Sequence, residues 1–150
     1  METKILYFVH GTTYDNLEHK ATGWLPGELS PKGIEQAKAL KEKVDIEKID
    51  IVFCSDLKRA IDSAEIVFGG EKTIIKDNRL RECNYGDYNG KDSKLADYST
   101  HITERFPNGE SLLDVEKRMR SMTEGIDNHS KTIMNVTFSS VFLERCKEPP

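Results

Sequence analysis

A chain of 150 residues with 37% hydrophobic and 32% charged side chains matches the commonest size of one domain and can build a core without staples. Its formal net charge of −4 excludes a protein that grips nucleic acid or anionic lipid through bulk charge, and leaves room for a local pocket for a small anion. No apolar run approaches the roughly 18 residues of a membrane span, and Met1–Lys4 leads straight into a strand-like run rather than a leader, so a cytoplasmic protein is expected.

The elements follow in chain order. Lys4–Val9 is a short continuous apolar run, which suits a strand covered on both faces. A polar loop runs from His10 to about Leu29. Ser30 and Pro31 supply an N-cap and a first-turn proline, and Ile34, Ala37, Leu40 and Val44 recur at helical spacing behind them. Ile49–Cys54 is a second strand. Ser55 or Asp56 can cap the next helix, where Leu57, Ala60, Ile61, Ala64 and Phe68 share a face and Gly69-Gly70 ends it. Thr73–Ile75 is a third strand, and Asp77–Asp92 a second polar loop. Lys94 to about Glu104 is weakly helical, with Leu95, Tyr98 and Ile102 on one side, and Pro107-Asn108-Gly109 breaks the chain. Val115, Met119, Met122 and Ile126 mark the clearest helix, and Thr132–Phe138 is a fourth strand. Cys54, Cys83 and Cys146 form no paired or metal-binding spacing with the four histidines and are expected as free thiols, small side chains at buried or half-buried positions.

The order β-α-β-α-β-α-α-β predicts an α/β fold of three layers, α/β/α, with a mostly parallel sheet and one domain over 1–150. Ligands of such sheets bind beyond the carboxyl ends of the strands. That rule selects the segments from His10, from Ser55 and from Thr137 onward.

Three residues at or near those ends could carry chemistry. A single histidine is by default a satisfied polar side chain, but His10 stands where a strand ends, beside Gly11, where the backbone can come close. An imidazole there can serve as nucleophile or base, and its neutral form is available near pH 7. Arg59, otherwise a solvated surface arginine, is a planar fork that could hold two phosphate oxygens, reinforced by the dipole of a helix starting near Ser55. Glu82 lies in a Gly/Asn/Tyr-rich loop, Leu80 to Gly90. If partly desolvated, it could hold a proton near neutral pH and deliver it to a leaving oxygen.

Taken together these segments resemble a known family. Ile5–Thr13 with Asn16, Thr22-Gly23-Trp24 and Leu29–Gly33 are similar to the opening of the histidine phosphatase (phosphoglycerate mutase-like) superfamily. Ser55–Ala60 followed by Ser63-Ala64-Glu65 resembles its second arginine motif. Leu80-Arg81-Glu82 with Tyr85-Gly86-Asp87 resembles its acid loop, and Asn108–Ser111 its late Gly-Glu-Ser motif. The resemblance covers about residues 4–138 and points to the phosphatase branch. It implies a phosphate-monoester hydrolase in which His10 takes the phosphoryl group, Arg59 clamps it, and Glu82 serves as general acid and then base. Gly11, Thr13, Asn16, Thr22, Gly23 and Arg59 would bind the substrate, a small phosphorylated metabolite, with no metal, no cofactor, no nucleic acid and no membrane involved.

The chain also departs from the pattern. The family's Arg-His-Gly reads Val9-His10-Gly11 here, as though one residue had been deleted, and a one-residue loss from a strand reverses the face of every later side chain. The second histidine of the family falls on Phe138, which can neither donate a hydrogen bond nor carry charge. Family members continue for some tens of residues past this point, so a sheet lacking an edge element is expected. Losing one preorganised donor commonly costs 10²–10³ in rate. The expectation is therefore an impaired phosphatase, the alternative an inactive phosphate-binding or interaction relative. The direction of the His10 ring relative to Arg59 decides between a working site and an ancestral remnant.

Overall fold

The computed structural model describes residues 4–124 and the strand at 132–136. Four strands form one sheet in the order β1-β4-β2-β3, all parallel: β1 Lys4–Phe8, β2 Ile51–Cys54, β3 Ile74–Lys76 and β4 Thr132–Val136. Sequence-adjacent β1 and β2 are thus separated by β4, which pairs Ile133 with both Ile5 and Ile51.

Four helices surround the sheet: α1 Tyr14–Leu17, α2 Pro31–Lys43, α3 Lys58–Phe68 and α4 Leu112–Glu124. Period-2 alternation along β2 sorts the two faces. Val52 and Cys54 are buried with Ala37 of α2 and Ala64, Val67 and Phe68 of α3. Phe53, between them, packs on the opposite side against a second cluster that holds Tyr85, Phe106 and Val115, Met119 and Met122 of α4. Val52, Val67 and Phe68 are essentially inaccessible to solvent, each contributing about 1.5–3 kcal/mol of burial energy. The expected three-layer α/β/α architecture is what forms, with the phosphoglycerate mutase-like arrangement of a parallel sheet between helical layers.

Local chemistry explains where boundaries moved. Ser30 caps α2 as expected, its Oγ accepting from the Gly33 N–H at 3.2 Å, with Pro31 in the first turn. Ser55 and Asp56 do not cap α3; its N-cap is Leu57, with no side-chain cap bond. Asp56 is held instead by Arg81, whose Nε donates to its carboxylate at 2.6 Å. The weak helical pattern of 94–104 gives only two single turns, Ser93–Leu95 and Tyr98–Thr100. There Asp92 and Asp97 accept the N–H groups of Lys94 and Ser99, both at 2.9 Å, and such side-chain bonds compete with helix propagation. The additional α1 is one turn closed by a capping box between Thr13 and Asn16. Ile126, the end of the fourth strand at Phe138, and Cys146 lie outside the described residues.

The His10 ring does not turn into the interior. Leu6 and Phe8 pack on the α2–α3 side, and His10, two residues further, reaches Arg59 of α3. The alternation therefore runs unbroken into His10.

Candidate active site

His10 follows β1 directly and is half-buried. Its Nδ1 lies 2.7 Å from the Gly11 carbonyl, and the Nε–H of Arg59 points at its Nε2 from 3.2 Å. A carbonyl can only accept and a guanidinium can only donate. These two neighbours therefore fix one state: a neutral imidazole protonated on Nδ1, with the Nε2 lone pair outward. Burial lowers the His10 pKa below 6.5, and the Arg59 charge lowers it further, while the Gly11 carbonyl and Glu82 oppose both.

Gly11 and Gly33 make this loop possible. A Cβ on Gly11 would stand 2.3 Å from the Gly33 carbonyl oxygen, and one on Gly33 would stand 2.2 Å from that of Thr12. Only two bare backbones can approach this closely. The Gly11 N–H donates to Ser63 Oγ at 3.1 Å, and Ser63 Oγ donates to the Arg59 carbonyl at 2.8 Å, tying the His10 loop to α3.

Arg59 is 1% exposed and its fork is committed to the protein. Besides the bond to His10, Nη1 donates to the Leu25 carbonyl at 2.8 Å, and Nη2 donates to the Gly23 carbonyl at 2.8 Å and to Glu82 Oε2 at 2.7 Å. The expected convergence of His10, Arg59 and Glu82 is thus present on one guanidinium. A phosphate oxygen that takes the Nε hydrogen, or the Nη2 hydrogen given to Glu82, displaces His10 or Glu82 from it.

Glu82 is fixed from both ends. Its Oε1 accepts from the Tyr85 hydroxyl at 2.6 Å, and that hydroxyl also meets the hydroxyl of Tyr98. Because the carboxylate can only accept, Tyr85 donates to Glu82, and Tyr98 donates to Tyr85. Its backbone carbonyl accepts from Trp24 Nε1 at 2.8 Å and from Arg118 Nη2 at 3.0 Å. Arg118, on α4, also donates to the carbonyls of Arg79 and Arg81, both at 2.6 Å, and pairs with both carboxylate oxygens of Glu110. Glu110 in turn accepts the Asn84 N–H at 2.9 Å. Arg118 and Glu110 together hold the acid loop in place, and Gly86 tightens it at φ +55°, where a Cβ would meet the Pro107 carbonyl oxygen at 1.9 Å.

A cavity of about 520 Å³ opens beside His10 and Glu82, lined also by Val9, Gly11, Thr12 and Asn16. Of the other expected substrate contacts, Thr13 is buried and its Oγ1 accepts the Asn16 N–H in the capping box. Asn16 returns the bond through Oδ1 to the Thr13 N–H at 2.9 Å. Gly23, at φ +53°, presents its carbonyl to Arg59. Thr22 is buried, and its Oγ1 is the one buried side-chain polar atom without a partner among the described residues. Neither Thr13, Thr22, Gly23 nor Arg59 lines the cavity; they build the wall behind it. Arg118 was not singled out from the sequence, and Tyr85 and Tyr98 were named only as a motif member and a helix-face residue. Glu110 was visible as part of a motif, without the partner that gives it a task. Among the described residues no set of three His, Cys, Asp or Glu side chains could hold a metal ion. Burial pushes the thiols of Cys54 and Cys83 up to about 11 and about 12, which makes both poor nucleophiles.

A parallel α/β/α sheet with an imidazole, a guanidinium and a carboxylate gathered past its strand ends is the frame of a phosphoryl-transfer site. Residues 6–142 match the model of the histidine phosphatase superfamily (branch 1), and the chain belongs to that family. A 2,3-bisphosphoglycerate-dependent phosphoglycerate mutase of Rhizobium meliloti is 37% identical over 126 residues, 73% of this chain and 60% of that protein. The alpha-ribazole phosphatase of Shigella flexneri shares the fold at a TM-score of 0.83 and 23% identity, covering 97% of this chain and 80% of that one. A mycobacterial glucosyl-3-phosphoglycerate phosphatase aligns at a TM-score of 0.80 and 25% identity, over 99% of this chain and 81% of that one. The chain spans 39–66% of the length of the first curated relatives it matches. No helix among the described residues is long and apolar enough to cross a membrane.

Proposed function

We propose that this protein hydrolyses phosphate monoesters through a phosphohistidine on His10, at a reduced rate. The observation that carries this reading is the fixed tautomer of His10, with its Nε2 lone pair aimed at the guanidinium that also binds Glu82. The ester's phosphoryl group enters between Nε2 and Arg59 and takes over the donors that Glu82 and His10 now share. Nε2 attacks phosphorus, the P–N bond forms and the P–O ester bond breaks. As the incoming phosphate displaces Glu82 from Arg59, a monoanionic ester cedes its phosphate proton to the Glu82 carboxylate, and Glu82 hands that proton to the leaving oxygen, so the alcohol departs. The Nδ1 proton stays on the ring, held by the Gly11 carbonyl, so phosphohistidine keeps its positive charge and is a good leaving group. Water then attacks phosphorus, Glu82 takes its proton, and phosphate leaves neutral His10 behind. Phosphoryl transfer is mostly alignment and charge neutralisation. The rate is reduced because Val9 contributes no donor where the family has an arginine.

The substrate is a small phosphorylated metabolite in the cytoplasm, and neither nucleic acid nor a membrane takes part. A second reading, a phosphate-binding relative without turnover, is favoured by one feature: four of the five N–H groups of Arg59 are already taken.

Incubation of the protein with an aryl phosphate, beside His10→Ala and Glu82→Ala, tests both. Slow turnover abolished by His10→Ala, with acid-labile phosphate on the protein after a brief labelled pulse, is the expected result. Vanadate-induced thermal stabilisation without turnover or labelling would establish the binder instead.

A further inference from the structure

The cavity beside His10 is far larger than a phosphate, and its lining is one-sided. Its inner wall is apolar: Ala37 and Leu40, one turn apart on α2, face Val67 of α3, and Val9 adds a third side. Its mouth is neutral and polar, with Asn16 and Gln36. Gln36 Oε1 is already occupied by the N–H and hydroxyl of Thr12, both at 2.9 Å. Among the described residues no lysine or arginine lines the cavity, and Glu82 is its only charged group. A carboxylate on the substrate's alcohol portion would lie beside the carboxylate of Glu82, which adds repulsion to its desolvation cost. An alkyl or aryl group would meet matching surface, gaining about fourfold in affinity per methylene buried.

We infer that the site selects monophosphate esters of uncharged alcohols bearing an apolar chain or ring, and discriminates against esters whose alcohol carries an acid. This rests on the proposed phosphatase reading, in which the ester's phosphorus sits at His10. The match to a bisphosphoglycerate-dependent mutase therefore does not extend to the substrate.

Non-hydrolysable phosphonates separate the inference from catalysis. Affinities of ethyl-, butyl- and benzylphosphonate and of 3-phosphonopropionate are measured by calorimetry or thermal shift, with vanadate as reference. Butylphosphonate is expected to bind about tenfold or more tighter than ethylphosphonate, and 3-phosphonopropionate at least tenfold weaker than butylphosphonate. Leu40→Lys, at a half-buried position on the cavity wall, should reverse the second ranking, provided its melting profile stays cooperative. A flat series, or tighter binding of the carboxylated ligand, would overturn the inference while vanadate binding at His10 preserved the phosphatase reading. Loss of all binding, vanadate included, would overturn both.

Discussion

Val9→Arg is the most direct test of the proposal that a missing positive charge limits the rate. Val9 lines the cavity beside His10 and is 45% exposed, so a longer side chain has room and need not invade the core. A guanidinium about 4 Å from a phosphate oxygen gains roughly 4 kcal/mol per unit charge at an effective dielectric of 20, and roughly 1 kcal/mol in bulk water. A half-exposed position lies between these limits, and ordering the arginine costs up to about 2 kcal/mol. Taking about 2.5 kcal/mol for such a position, the net gain is about 0.5–2.5 kcal/mol, or about 2–70-fold in kcat/KM. The assay is aryl phosphate turnover at low and high ionic strength, with Val9→Met as the uncharged control of size. Salt should erode the gain of Val9→Arg because the new charge is screened by solvent. His10→Ala in the Val9→Arg background should abolish it. An unchanged kcat/KM in a variant that melts like the parent would refute the reasoning that the missing positive charge limits the rate.

Three further outcomes follow from the geometry. Arg118→Met leaves Glu110 unpaired and frees the carbonyls of Arg79, Arg81 and Glu82. It should cost about 2–4 kcal/mol of stability by denaturant titration and lower kcat more than it raises KM, because the acid loop loses its position. Gly33→Ala sets a methyl group against the Thr12 carbonyl, and should lower stability by about 1–3 kcal/mol, seen as a drop in Tm. For His10, whose pKa is lowered in the folded state, the folded protein binds fewer protons than the unfolded chain as pH falls through 6.5. Its contribution to stability is thus full above 6.5 and is lost progressively below it; melts from pH 5 to 7.5 should show that slope in the parent and not in His10→Gln.

Much of the site was legible because sheet topology does part of the work. A histidine at the end of the first strand and an arginine in the first turn of the helix after the second strand must face the same crevice. The ring direction was not legible. β1 ends at Phe8, and only the structure shows that the backbone beyond it carries the His10 ring to Arg59. Thr13 and Asn16 illustrate a different limit. Motif membership names them as substrate residues, but Ser, Thr and Asn bond readily to nearby backbone, and here they close a capping box. A spacing of three residues is equally compatible with both roles. In the 94–104 segment similar local bonding cut the expected helix to single turns, its aspartates having nearer partners than the next helical turn.

The partners of Arg59 carry the same lesson into function. The expected clamp was a free fork awaiting phosphate, yet two of its bonds go to the carbonyls of Gly23 and Leu25, groups that a motif of side chains never displays. Those two bonds fix the guanidinium plane and leave the edge carrying Nε and one Nη2 hydrogen for His10 and Glu82. On that edge Arg59 offers a phosphate two donors, and it gives up two existing contacts to do so. In such an arrangement a second arginine on the open side would supply donors that displace nothing. An arginine introduced at position 9, on the open cavity side, would therefore bring the transition state donors that Arg59 cannot offer without losing contacts of its own.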